Sequence, residues 1–328
     1  MLENSRSRRP RSRPSTGLLT GALVATALLL SQAGAVPTSS VDPVPTAATA
    51  ATEPAEQGRA GSGLELGRMG QVDARVGRKH DGRVRVSVAN IPNRTSKRKM
   101  RVSLRRLTSD RQDFVLLNEV GSRDLGWLEQ HAGPYQAYRD PVRDTTRGGS
   151  QSMNNVVMWR PKRWELLDAG RVKVVDDDRG YRAGEEFVWD RYVTWAVLGR
   201  TTSRAVVSVV SLHMPTNPVV YPEQPGKDKP SRKRRWKQGM ARVVDVVQRL
   251  AKHGPVLLGG DMNSHPHQGK WTAAAAMGRI GHGYAKEEVM YLFHPPGSEV
   301  VEHRRVEVHS DHPALSTTLD LTGVGPRR

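Results

Sequence analysis

The chain contains no cysteine. Disulfide frameworks, thiolate-held zinc and thiol nucleophiles are therefore excluded. Aromatic residues are few, with three Phe, seven Tyr and seven Trp in 328 residues. That scarcity weakens any expectation of extended base stacking. Acidic residues are also in deficit, 33 against 51 Lys and Arg, which leaves a formal charge of +18. A surplus of this size points to a polyanionic partner, either nucleic acid or an anionic membrane surface, and says nothing about fold. Long apolar runs are missing with one exception, Leu18 to Leu30, which is shorter than the ~20 residues that a bilayer-spanning helix needs.

That run has context. Arg6, Arg8, Arg9, Arg11 and Arg13 precede it, and Ala33-Gly34-Ala35 follows it. A basic flank, a short apolar stretch and a small-residue cleavage site predict a secretory signal peptide over residues 1–35, removed after Ala35. Residues 36–63 are rich in Pro, Ala and Thr with almost no large apolar side chains, so a disordered tether is expected there. The remainder, 64–328, is long enough to bury a substantial core without disulfides. The expected product is exported, and a monomer without an obligate protein partner.

Within 64–328 the pattern alternates between layers. Arg83-Val84-Arg85-Val86-Ser87-Val88 has the period of two that marks a strand. A basic helix is expected from Lys97 to Ser109, then a buried strand in the run Asp113 to Glu119, which closes on polar groups. Further strands are expected at Val156–Trp159, Val193–Leu198, Ala205–Leu212, Val256–Leu258, Val289–Phe293 and Ala314–Leu321. Val243, Val244, Val247 and Leu250 recur at helical spacing after a Pro-rich loop, with Ser231 as the predicted cap and Gly254-Pro255 as the stop. These elements predict a layered α/β domain with mixed or antiparallel sheets.

Polar groups recur at the ends of the apolar runs: Asn90, Glu119, His213, Asp261, Asn263, Asp311 and His312. Buried strands hold their terminal residues rigidly, so side chains from several ends can converge in one cleft. Carboxylates, amides and histidines together suit phosphoester hydrolysis with a hard divalent ion. His265-Pro266-His267 lacks a third ligand and is expected to be a solvated loop rather than a zinc site.

The segments VSVANIP, DFVLLNEV, VVSLHMP, VLLGGDMNS and HSDHPAL together resemble the endonuclease/exonuclease/phosphatase superfamily with its deoxyribonuclease-I-like fold. They occur in that family's order from about Arg83 to Leu321, with Asn118 where the family more often has Gln. The resemblance implies a four-layered α/β sandwich, two packed mixed β-sheets flanked by helices, and metal-dependent phosphoester hydrolysis. It implies Glu119 as principal metal ligand with Asn90 and Asp311 close by, the metal being Mg²⁺, or else Mn²⁺ or Ca²⁺. It implies His312 as general base, Asp261 and Asn263 orienting water and phosphate, and His213 donating to a phosphate oxygen or assisting the leaving group.

One position departs from the family. Met290 stands where the resemblance implies an Asp that orients the general-base histidine, and methionine cannot accept an imidazole N–H as a carboxylate does. Glu288, taken as shifted by one residue along that strand, is expected on the opposite face, leaving Glu302 or Glu307 as substitutes. The run Arg232, Lys233, Arg234, Arg235, Trp236, Lys237 is read either as a solvated basic face or as a phosphate-binding surface, with Lys97 to Arg101 flanking the same cleft. The leading expectation is a secreted nuclease on extracellular nucleic acid, DNA favoured over RNA. The alternatives are a sphingomyelinase-like or other phosphoesterase acting on phospholipid or small phosphoesters, and a nucleic-acid-binding module weakened in turnover by Met290.

Overall fold

Strand β1 (Arg83–Asn90) shows how the layers arise. Val84, Val86 and Val88 pack into the space between two sheets. On its other face Ala89 packs beneath a helix, where the Ser87 hydroxyl donates to the Leu107 carbonyl at 3.0 Å. A strand covered on both faces reads as nearly continuous apolar sequence, as most of these runs do.

The computed structural model describes residues 79–80, 82–140, 153–176, 189–216, 218 and 232–327. The described residues all fall in one compact unit. The expected export signal, the tether, the boundary at residue 64 and the Ser231 cap lie outside the described residues. No described helix is long and apolar enough to cross a membrane.

After β1 come helix α1 (Lys97–Thr108), β2 (Phe114–Asn118), α2 (Leu125–Ala132), β3 (Gln136–Tyr138) and β4 (Val156–Trp159). Then follow β5 (Trp164–Val175), β6 (Arg191–Arg200), β7 (Val206–His213), α3 (Arg232–Leu250) and β8 (Val256–Asp261). The chain ends with α4 (Ala273–Gly278), β9 (Gly283–Glu287), β10 (Met290–His294), β11 (Glu299–Val306) and β12 (Ala314–Asp320). One sheet has the order β11-β12-β1-β2-β4-β3 and the other β5-β6-β7-β8-β10-β9. Both are mixed, since β1 pairs in parallel with β2, and β7 with β8, while the remaining pairs are antiparallel. A parallel pair needs a long crossover. Helix α1 lies in the first crossover and α3 in the second.

Three apolar layers hold the sandwich. The two inner sheet faces meet through Val86, Phe114, Leu116, Trp164, Val209 and Leu257. Helices α1 and α2 cover the first sheet with Met100, Leu104, Leu107 and Leu128. Helix α3 covers the second with Trp236, Met240, Val243 and Val247, all at helical spacing. Each such side chain contributes about 1.5–3 kcal/mol of burial. Trp236 is therefore core rather than an interface aromatic: it is fully buried, and its indole N–H donates to the Met262 carbonyl at 3.1 Å.

The elements without a sequence expectation are partly exposed or short. β5 is interrupted by register shifts at Leu166/Asp168 and Lys173/Val175, and β11 is a mostly exposed edge strand with a shift at Val300/Glu302. The expected strand at Val289 begins one residue later, because Glu288 and Val289 form the tight turn between β9 and β10.

Within the second sheet, β8 leaves no room for a side chain against its neighbour β7 at Gly260. Gly260 has φ +148°, and a Cβ there would fall 1.7 Å from the Leu212 carbonyl oxygen. Strain in that backbone region and overpacking against a fixed strand each cost about 1–3 kcal/mol. Gly260→Ala is expected to lower stability by roughly 2–5 kcal/mol. Chemical denaturation of the variant beside wild type checks this, and an unchanged midpoint would refute it.

Candidate active site

The parallel pairs send the C-terminal ends of β1, β2, β7 and β8 to one edge of the sandwich. Asn90 ends β1, Glu119 follows β2, His213 ends β7 and Asp261 ends β8. All seven residues singled out from the sequence line one cleft of about 510 Å³: Asn90, Glu119, His213, Asp261, Asn263, Asp311 and His312.

Amides join the carboxylates across the two sheets. Asn90 Nδ2 donates to Glu119 Oε1 at 3.0 Å and to Asp261 Oδ2 at 3.2 Å. Beneath it Asn118 Oδ1 accepts the Asp261 backbone N–H at 3.0 Å, while its Nδ2 donates to Asn155 Oδ1 and Ser211 Oγ. Asp261 is almost fully buried, and that burial pushes its carboxyl up to about 6 against the lowering effects of His312, the Asn263 amide and Asn90. The Asn263 backbone N–H donates to Asp261 Oδ1 at 2.9 Å.

His213 is held in one tautomer. Asn263 Nδ2 donates to the Met214 carbonyl at 2.9 Å and faces His213 Nε2 at 3.2 Å. The amide nitrogen is thereby oriented as a donor, so Nε2 accepts and Nδ1 carries the proton. Nδ1 lies 3.7 Å from Glu119 Oε1. Burial, then the charges of Arg191 and His312, hold the His213 pKa well below its ordinary value. The ring is an uncharged donor at neutral pH, not a cationic acid. His312 lies opposite, with Nε2 3.8 Å from Asp261 Oδ2.

Met290 is fully buried in the inter-sheet core. The substitutes expected from the sequence do not reach His312. Glu302 Oε2 faces Thr318 Oγ1 at 3.5 Å, and Glu307 Oε1 pairs with Arg305 Nε at 2.7 Å. The acid beside His312 Nδ1 is Glu288, whose Oε2 lies 3.6 Å away. The opposite-face expectation for Glu288 rests on a shift of one residue, but Glu288 stands two residues before Met290, a spacing that keeps one face, and it occupies the turn before β10 rather than the strand.

The cleft also contains residues without a sequence expectation: Asn93, Asn154, Trp189, Arg191 and Thr216. Arg191 is buried at the start of β6, the antiparallel neighbour of β7. An aromatic and a cation immediately before a buried strand were the available signal, since the start of an antiparallel strand lies beside the end of its partner.

Among the described side chains of the basic run, none lines the cleft. Lys233 Nζ lies 5.1 Å from the Trp271 ring, and Arg235 donates to the Asp176 carbonyl at 2.9 Å. Arg234 is exposed, and the Arg232 side chain lies outside the described residues. Lys97, Arg98, Lys99 and Arg101 are exposed on α1, in the opposite outer layer. His265 and His267 stack with ring centroids 5.3 Å apart.

The sequence pattern of the Endonuclease/Exonuclease/phosphatase family matches residues 85–274. The chain belongs to that family. Its members are hydrolases of phosphoester bonds and generally use divalent metal ions. Solved structures agree at the level of fold. A mannosyl-6-phosphatase from Bacteroides thetaiotaomicron is 14% identical with a TM-score of 0.54, over 72% of this chain and 99% of that one. The human Nocturnin catalytic domain with bound sulfate is 12% identical with a TM-score of 0.54, over 75% and 97%. D. rerio TDP2 complexed with a single strand DNA product is 12% identical with a TM-score of 0.50, over 73% and 99%. Among curated proteins none matches by sequence.

The family's divalent ion fits the oxygen donors present. Asn90 Oδ1 is buried without a hydrogen-bond partner, directly beside the Glu119 carboxylate. Among the described residues no three His, Asp or Glu side chains close a cage. An open set of one or two carboxylates and an amide oxygen suits Mg²⁺, which keeps waters and contacts substrate phosphate.

Asp261 makes stability depend on pH in a definite direction. Its raised pKa means that the folded chain still binds a proton near pH 5 that the unfolded chain has released, so stability falls as pH rises from about 4 to about 6. A shift of this size is worth roughly 3 kcal/mol at most. In chelator-treated protein, Asp261→Asn is expected to exceed wild type in stability at pH 7, with the gap closing towards pH 4. Denaturant unfolding at four pH values checks this; a gap independent of pH would refute it.

Proposed function

We propose that the chain is an exported, divalent-metal-dependent phosphodiesterase that cleaves nucleic acid. The observation that carries this reading is the convergence of seven strand-end groups and Arg191 in one cleft, in a family of phosphoester hydrolases. Trp189 lines the same cleft beside Arg191, which gives a nucleotide both an aromatic face and a guanidinium. The net charge, +18 for the full sequence and +14 once the five Arg and one Glu of residues 1–35 are removed, favours a polyanionic substrate, and TDP2, which shares the fold, is known with a DNA product.

Asn90, Glu119 and Asp311 would hold the ion, which supplies Lewis-acid stabilisation of charge on the phosphoryl oxygens. His312 takes a proton from the attacking water at Nε2, the nitrogen that faces Asp261. Asp261, 3.8 Å from that nitrogen, orients the water between them and accepts the Asn263 backbone N–H. Asn263, with its side chain bound to His213 and Met214, keeps the opposite wall rigid. Arg191 anchors a phosphate oxygen as a charge-assisted donor. The uncharged His213 donates from Nδ1 towards the Glu119 side of the cleft.

Plasmid nicking and single-stranded oligonucleotide cleavage, with Mg²⁺, Mn²⁺ and Ca²⁺ and with a choline-phospholipid control, test the reading. Wild type is expected to cut nucleic acid, and Glu119→Ala and His312→Ala to lose ~10²–10³-fold or more in kcat. Arg191→Ala is expected to raise KM. Affinity for DNA should fall steeply with salt. Phospholipid hydrolysis without DNA cleavage, or DNA retention without turnover under every metal, would overturn the proposal.

A further inference from the structure

His312 sits between two carboxylates. Its Nε2 faces Asp261 Oδ2 at 3.8 Å, and its Nδ1 faces Glu288 Oε2 at 3.6 Å. Nδ1 is buried and has no hydrogen-bond partner. A buried ring nitrogen left in that state is costly, and the acid lying against it is Glu288.

The local backbone gives an independent reason to single out this glutamate. Glu288 and Val289 form the two-residue turn that joins β9 to β10, closed by the pair Glu287 and Met290. Such turns select Asn, Asp or Gly, because a position with positive φ is unfavourable for larger side chains. Glu288 nevertheless adopts φ +51°. Only four non-glycine residues among those described have positive φ, and besides Glu288 they include Glu119 and Asn263 in the cleft. Strain of this kind persists where the surroundings fix the side chain for a task. Arg305 Nη1 lies 3.5 Å from the other oxygen, Oε1, and so leaves Oε2 turned towards the histidine.

We propose that Glu288 is the positioning residue for His312, accepting the Nδ1–H so that the unprotonated Nε2 faces the attacking water. When Nε2 takes the water proton, the charge that forms on the ring is balanced by the Glu288 carboxylate. The carboxylate that the resemblance placed in the strand at Met290 is supplied from the preceding turn. The inference rests on the functional reading given above for its consequence, but not for its geometry.

The test begins with histidine ring ¹H–¹⁵N correlation spectra of wild type, Glu288→Ala and Glu288→Gln, with His312→Ala assigning the resonance. Free histidine favours the Nε2–H form. Wild type is expected to show the Nδ1–H form, Glu288→Gln to keep it through its amide carbonyl, and Glu288→Ala to lose it. An unchanged His312 tautomer in folded Glu288→Ala would overturn the proposal. With an active enzyme, Glu288→Ala should lower kcat about 10- to 100-fold with KM within about twofold, and should cost nothing further in the His312→Ala background. An additional loss in that background would assign Glu288 a role apart from His312 and would also overturn it. If wild type cleaves no phosphoester, the functional reading fails while the tautomer still decides the position of Glu288.

Discussion

The cleft depends on one buried amide, that of Asn118. It belongs to β2 in one sheet, and it accepts the Asp261 N–H of β8 and donates to Ser211 of β7 in the other. Ser211 returns a hydrogen bond to the Leu117 carbonyl, and Asn155, also bound to Asn118, donates to the Tyr192 carbonyl of β6. Apolar contact alone leaves two sheets free to slide by small amounts, because dispersion is not directional. A fully satisfied polar network between them fixes register and distance. Asn90, one strand away and ending level with Asn118 in the parallel pairing, then meets Glu119 and Asp261 within hydrogen-bond reach.

The same network explains why a carboxylate tolerates almost complete burial. Asp261 accepts the Asn263 N–H and an Asn90 N–H, and two imidazoles stand within 4 Å. These groups only partly offset desolvation, as the raised pKa of Asp261 records. Left-handed backbone at Glu119, Asn263 and Glu288 adds further strain around the same volume. The rest of the sandwich, with its three apolar layers, is where the compensating stability resides.

The strand-end residues were legible because a fully buried strand leaves an unbroken apolar run that stops at a polar side chain. β2, β7 and β8 are of this kind, and Glu119, His213 and Asp261 fell directly out of them. β5 and β11 were not legible. Register shifts break their period of two, and β11 is an edge whose exposed Glu302, His303 and Arg305 read as loop. Arg191 and Trp189 were missed because attention to strand ends ignores strand starts, although β6 runs antiparallel to β7 and begins in the cleft. Glu288 was legible after all: it stands two residues before Met290, not one, and a period of two carries both positions on one face. Trp236 shows the converse error: its place in a cationic run suggested an interface, while the helical spacing to Met240, Val243 and Val247 already marked it as core.

The charge surplus acts at two ranges. Lys233 and Arg235 are engaged by Trp271 and Asp176 on the outer layer beyond β8, and the α1 cations are exposed on the other outer layer. Helix α3 begins close to the catalytic edge, since Trp236 binds the Met262 carbonyl, and α1 begins a few residues after Asn90. Cations placed in this way raise the potential around the cleft without touching a bound phosphate. Their effect falls on encounter and is screened within about 8–10 Å at ordinary salt. Arg191 is different: it is buried inside the cleft, where screening is weak and a guanidinium can fix a phosphate oxygen in one geometry. On the proposed function, attraction of a polyanion belongs to the two outer layers, and alignment of the bond to be cut belongs to the strand ends between them.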